Sequence, residues 1–276
     1  MRYWPCPLWG VLGLILLCSC SSWPLGSGQH TSILEQHHYR LWTAQDELDQ
    51  LAHLGEVYLQ SGIRLIKLST PAQKYLAQIY QQLRQDNEYL LKQNLRPSFY
   101  VVDTDTPFIF ALPSGKFFFG RGILQKYLHH EELLMAAMAA EMVRLHRQVY
   151  RKNIVISLGH IDTNQMLFLL RLPVEYRAEI DKWASLLLKR SGHDVYAYLN
   201  WLQTQNKNTL DFLAQYGDPK GISRQEFLFK KFLIDNGTFK ENQSSLGQRI
   251  TSSSGHYYLL RDMKQANIMR GSNSDI

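Results

Sequence analysis

The groups in this chain that can do covalent or acid–base chemistry are few and unevenly placed. All three cysteines, Cys6, Cys18 and Cys20, stand at the front. No Gly-x-Ser-x-Gly elbow presents a serine, so nucleophilic hydrolysis has no starting point in the rest of the sequence. Imidazoles and carboxylates gather instead between His129 and His146. Two imidazoles four residues apart on one helical face can grip a Zn²⁺ while a glutamate between them activates a water. No pair here has that arrangement. His130-Glu131-Glu132-Leu133-Leu134 begins the pattern and fails at its last position. Glu141 and His146 are separated by roughly 140° around a helix of about 3.6 residues per turn, so they point to different faces. Each histidine on its own reads as an isolated side chain rather than a ligand.

The cysteines belong to a different chemistry. Arg2 supplies one positive charge, Leu8–Leu17 is almost wholly apolar, and the run ends in Leu17-Cys18-Ser19-Cys20. A permanent membrane span needs roughly twenty apolar residues, twice what is present, so the run reads as a secretion signal. Its end looks like a bacterial lipobox, in which the last cysteine is fatty-acylated and becomes the mature N-terminus. The competing reading is an ordinary signal peptide with incidental cysteines. On the lipobox reading, residues 1–19 are a signal peptide and Cys20 is the lipid attachment site. Residues 20–31, rich in Gly, Ser and Pro, are then a flexible tether. Ser21 resembles the residue that sends such proteins to the outer membrane in enteric bacteria, where the domain would face the periplasm.

Cleavage before Cys20 leaves no thiol to oxidise, so the exported domain has to be held by its apolar core. The net charge of +6 and pI near 9.1 suit an anionic membrane surface or an acidic partner. No basic tract is dense enough for nucleic acid.

The remaining elements must position whatever chemistry there is. Apolar residues recur at helical spacing over Ile33–Tyr58 and Pro71–Leu91. Ser98–Val102, Phe108–Ala111 and Lys116–Phe119 are short, aromatic and bounded by breakers. They predict strands, with Pro113-Ser114-Gly115 as a turn. Glu131–Tyr150, with acids first, basic residues last and Leu, Met and Ala between, predicts the clearest helix. Val174–Ser191, closing at Gly192, Asp194–Gln203 and Ser223–Ile234 follow, and Gln165–Leu170 is a short apolar segment. Residues 32–235 are expected to form one domain. Residues 236–276 read as a polar, partly disordered extension, with Ser252–Gly255 loop-like.

Phe108–Leu124, reading FIFALPSGKFFFGRGIL, resembles the HtpX-like, or Ste-type, zinc metallopeptidases, which include bacterial outer-membrane peptidases. The matching residues are Phe110-Ala111-Leu112-Pro113 with Gly115, then Arg121-Gly122-Ile123-Leu124. Glu131–Ala140 continues like the helix that carries the family's HExxH motif, and Lys189-Arg190-Ser191-Gly192-His193-Asp194 resembles a later turn. The likeness runs across roughly Gln45–Gln203. It implies an α+β, mainly α, zincin-like fold with a small sheet.

The motif itself is degenerate, because Ala140-Glu141-Met142-Val143-Arg144 stands in its place. Glu141 matches the general base, while Ala140 and Arg144 occupy the two histidine positions. Without a gap, Asp181 matches the family aspartate and Arg177 the third ligand; a gapped reading keeps Glu175 there. Two unit charges about 4 Å apart interact by roughly 4 kcal/mol at an effective dielectric near 20. A guanidinium at Arg144 therefore repels zinc, and arginine has no lone pair to give it. His256 and Arg261 faintly resemble a late His-Pro-Pro segment, with Tyr257-Tyr258 in place of the prolines.

The resemblance thus implies a vestigial site at Glu141 and no cofactor. It further implies an envelope lipoprotein that binds envelope proteins or unfolded polypeptides, as a chaperone-like factor or scaffold. In active relatives a peptide adds to an exposed strand, and Lys116, Phe117, Phe118 and Phe119 are the expected peptide-binding edge. The alternative is an active zinc metalloendopeptidase with atypical ligands. A third reading is a structural lipoprotein with no cleft function.

Overall fold

The computed structural model describes residues 43–91, 95–152, 160–237 and 253–272. By backbone contact the chain divides at Thr43/Ala44, and the elements below belong to the part from Ala44 onward. The signal peptide, Cys20 and the 20–31 tether lie outside the described residues, as does the first part of the helix expected from Ile33.

Ten helices and four strands make up the described residues. The helices are α1 (Ala44–Gln60), α2 (Thr70–Arg84), α3 (Arg121–Lys126), α4 (Glu131–His146), α5 (Thr163–Leu169), α6 (Val174–Arg190), α7 (Val195–Lys207), α8 (Thr209–Tyr216), α9 (Pro219–Asp235) and α10 (Ser254–Ser272). The strands are β1 (Leu65–Ile66), β2 (Ser98–Val102), β3 (Ile109–Leu112) and β4 (Lys116–Gly120). The fold is α+β and mainly α, with one small mixed sheet.

Local chemistry explains the boundaries. Pro71 opens α2 at a position where the missing N–H is free anyway. Asp162 and Gln165 form a reciprocal capping box at α5. Asp194 caps α7 by accepting from Tyr196 N–H at 2.8 Å, which gives the Gly192-His193-Asp194 turn its job of joining α6 to α7. In α4 every residue from Leu134 to Ala139 and from Glu141 to His146 is buried. Such a helix has no polar face and must run through the middle of the domain.

The sheet order is β1-β2-β4-β3. β2 pairs with β4 in parallel, while β3 pairs with β4 antiparallel through the Pro113–Gly115 turn. β4 is therefore interior, hydrogen-bonded on both sides. This corrects the expected peptide-binding edge at Lys116, Phe117, Phe118 and Phe119. Three consecutive phenylalanines, all 0 % exposed, fill both faces of a strand covered on both faces, which is the pattern of a central strand. Phe117 and Phe119 point into the large core shared with α2, α4, α6, α7 and α9. Phe118 points the other way, into a core closed by α1 and α5, and stacks between Tyr100 and Phe110 of the neighbouring strands at 5.1 and 5.0 Å. Lys116 reaches the surface and pairs with Glu56 at 2.6 Å.

The Arg121-Gly122 pair after β4 has a packing reason. Arg121 is 3 % exposed and bonds Asp103 at 2.9 Å and Asp105 at 2.6 Å. A Cβ on Gly122 would lie 2.0 Å from the Asp105 carbonyl oxygen, so only glycine allows this approach.

The polar extension from residue 236 contains a further helix, α10, against α2 and α3. His256, Leu259 and Met263 are buried on it, and Asp262 accepts from Ser69 N–H at 2.8 Å at the start of α2. Of the Ser252–Gly255 loop expected from composition, Ser252 lies outside the described residues, and Ser254 and Gly255 form the first turn of this helix.

Candidate functional site

Helix α4 carries Ala140, Glu141 and Arg144 to one small cavity. Helix α6 brings Arg177 and Asp181 to the same place, with Tyr198, Trp201 and Gln205 from α7, Gln215 and Tyr216 from α8, and Gln225 from α9. The structure thus brings together Ala140, Glu141, Arg144, Arg177 and Asp181, five residues singled out from sequence. Glu175 is not among them. Its side chain is exposed and pairs with Arg224 at 3.5 Å, so of the two alignments the ungapped one supplies the cavity residue. The cavity measures about 50 Å³, room for a few waters and far below the several hundred Å³ of ordinary ligand pockets.

Glu141 is 7 % exposed. One carboxylate oxygen accepts from the main-chain N–H of Ala111 at 2.8 Å and lies 3.7 Å from the Arg144 guanidinium. Burial pushes its pKa up, while Arg144 and the Ala111 N–H oppose the shift. Arg144 also donates to the Leu170 carbonyl at 2.5 Å and lies over the Tyr150 ring. Asp181 accepts from Tyr198 at 2.7 Å and from Gln225 at 2.9 Å. Burial raises its pKa to about 7 against those hydrogen bonds. Arg177 lies over the Tyr216 ring at 4.8 Å, and burial lowers its pKa.

The outer edge of the sheet, β3, runs along this cavity. Phe108 and Leu112 carbonyls accept from Gly120 and Gly115 on the β4 side, so the main-chain groups of Ile109 and Ala111 face away from the sheet. All four are taken by side chains. Gln215 donates to the Ile109 carbonyl at 2.7 Å and accepts from its N–H at 3.4 Å. Glu141 takes the Ala111 N–H, and Tyr150 donates to the Ala111 carbonyl at 3.0 Å. An extended peptide therefore finds no free donor or acceptor at this edge. Gln215 and Tyr150 were not foreseen. Their only sequence signal is an uncharged polar residue among apolar neighbours, which does not reveal what it bonds.

The donors in the cavity do not fit zinc. Its carboxylates, Glu141 and Asp181, already hold hydrogen bonds, and two guanidiniums stand beside them. Among the described residues no group of three His, Cys, Asp or Glu side chains is placed to hold a metal. The histidines lie elsewhere. His146 is buried and meets the Tyr80 hydroxyl at 3.0 Å, and burial lowers its pKa to about 4. His129 and His130 precede α4, with rings 4.5 Å apart. His256 meets the Leu128 carbonyl at 3.1 Å, and Arg261 lies over the Tyr258 ring.

Compared with protein-family models and with curated proteins, the chain matches none. The geometry of the cavity therefore carries the functional argument.

Proposed function

We propose that this chain is a non-catalytic, metallopeptidase-like lipoprotein of the bacterial envelope. On this reading it is anchored through Cys20, faces the periplasm from the outer membrane, and binds other envelope proteins. The observation that carries the reading is one cavity lined by Glu141 and two guanidiniums, Arg144 at 3.7 Å from it and Arg177 on α6. These stand where a zincin-like site requires two lone-pair donors. Positive charge at those points neutralises the buried carboxylates, which is the electrostatic part of what a zinc ion does there. It supplies no open coordination position to activate water.

The sealed β3 edge narrows the choice between chaperone and scaffold. Capture of an unfolded chain by strand addition needs free main-chain groups, and Glu141, Tyr150 and Gln215 occupy them. Scaffolding of folded envelope proteins needs none of these groups, and a chaperone-like role would have to use a surface other than β3.

The test is metal analysis and proteolysis on the purified full-length protein. The expected result is no stoichiometric zinc and no chelator-sensitive cleavage of casein, with Glu141→Gln indistinguishable from the parent in that assay. Stoichiometric zinc together with casein cleavage abolished by Glu141→Gln would establish an active metalloendopeptidase instead.

A further inference from the structure

Arg177 is 7 % exposed, yet its Nε and Nη1 donors meet no acceptor. The carboxylate four residues along, Asp181, gives its oxygens to Tyr198 and Gln225. Buried guanidinium donors without acceptors are unfavourable even with carboxylates nearby, and native interiors hydrogen-bond such groups. Arg144, 6 % exposed, lies 3.7 Å from Glu141 and also keeps an unpartnered Nε. Both guanidiniums line the same cavity, which Arg171 also borders. Three guanidiniums and two carboxylates, Glu141 and Asp181, thus line the cavity, while Asp218 and Glu175 act on Arg177 from outside that lining. Two acceptors in the same wall, Gln205 Oε1 and Gln225 Oε1, are unpartnered as well. Gln225 is oriented by its amide donation to Asp181, so its oxygen is the free end. Ala140, Leu172 and Tyr216 on the rim are only partly buried, which leaves the cavity a way in.

We propose that this cavity is a receptor site for a small carboxylate, held by Arg177 and Arg144. Gln205 and Gln225 accept from N–H groups on a ligand that carries them. The volume of about 50 Å³ suits a carboxylate head with one or two further heavy atoms and excludes an extended peptide. Guanidinium groups are the side chains best matched to a carboxylate in a desolvated site. The chemistry is shared by a free short-chain acid or amino acid and by the C-terminus of a polypeptide. The inference rests on the metal-free reading of the cavity.

The experiment titrates detergent-solubilised full-length protein with sodium acetate, glycine, trialanine and C-terminally amidated trialanine. Calorimetry and thermal unfolding provide the readouts, at ionic strength held constant with sodium chloride. Saturable acetate binding above the chloride background is expected, weakened about ten-fold or more in Arg177→Gln. Gly221→Ala keeps the charge and suits a helix, but its Cβ would lie 2.8 Å from Arg177 Nη2. It should weaken binding by displacing the guanidinium, and it answers the question if Arg177→Gln does not fold. Binding of trialanine but not its amide assigns a polypeptide terminus, whereas binding of acetate and glycine alone assigns a free acid. Zinc-free protein that binds acetate no better than chloride, or equally in parent and both variants, overturns the inference alone. Stoichiometric zinc with casein cleavage overturns it together with the functional reading on which it rests.

Discussion

Two buried arginines in this domain are treated in opposite ways. Arg121, at the end of β4, is 3 % exposed and held by Asp103 and Asp105 at 2.9 and 2.6 Å. Arg177, on α6, is 7 % exposed and has two donors without acceptors. The first is the ordinary solution to a charge in the interior, in which carboxylates repay the desolvation and the pair ties the loop after β2 to the start of α3. The second leaves donors open toward a cavity, which a stabilising device does not do. The difference separates a charge that serves the fold from one that serves a site.

Removing the partners' side of that comparison gives the largest expected effect. Arg121→Ala leaves Asp103 with only the exposed Arg64 guanidinium at 3.7 Å and should destabilise the domain by about 3 kcal/mol, the low end of the range for breaking a buried pair. Arg177→Met should cost much less, because its Nε and Nη1 donate to no carboxylate whose hydrogen bond would be lost. Urea unfolding of the two variants checks this, and equal losses would erase the distinction. Gln215→Leu comes next, since it orphans both the N–H and the carbonyl of Ile109. A loss of roughly 1–3 kcal/mol is expected, together with slower-exchanging protection at Ile109 being lost in hydrogen-exchange measurements.

The pH dependence of stability sharpens the same contrast, because Asp181 belongs to the cavity and His146 to the α2–α4 packing. Asp181 has its pKa raised from 3.8 to about 7, so the native state holds that proton more tightly than the unfolded chain. Its contribution is full below 3.8 and is lost as pH rises toward about 7. His146 has its pKa lowered from 6.5 to about 4. Its contribution is full above 6.5 and is lost as pH falls toward about 4. Asp181→Asn should therefore gain on the parent as pH rises through that window, and a constant difference across it would contradict the assignment. The smallest effect belongs to Lys116→Ala. Its ion pair with Glu56 is partly solvated, with side-chain exposures of 15 and 48 %, so the loss should stay below about 1 kcal/mol. Thermal unfolding at low and high salt measures it.

How much was legible beforehand varies by element. Helix α4 was readable because acids, then a Leu-Met-Ala interior, then basic residues leave no alternative period. It ends at His146 rather than Tyr150, where Gln148 takes a left-handed φ of 56° and stops the helix. Lys116–Phe119 was readable as a strand but not as an interior one. Helix α10 was missed because its buried side chains, His256, Leu259, Asp262 and Met263, are half polar, and composition alone reads such a segment as solvated. The ungapped placement of Arg177 over Glu175 rested on counting residues along a helix, and of the two only Arg177 lines the cavity.

The sequence by itself determined what charge each position carries and where most helices and strands lie, because period, caps and turn residues act over a few neighbours. It also determined that Ala140 and Arg144 offer no lone pair to a metal, since that is a property of the side chains themselves. Tertiary structure alone decided that β4 pairs on both sides, that Glu141, Tyr150 and Gln215 occupy the outer face of β3, and that Arg177 keeps two donors without acceptors. Each of these depends on groups far apart in the chain meeting within hydrogen-bond distance, and no local pattern of residues encodes that meeting.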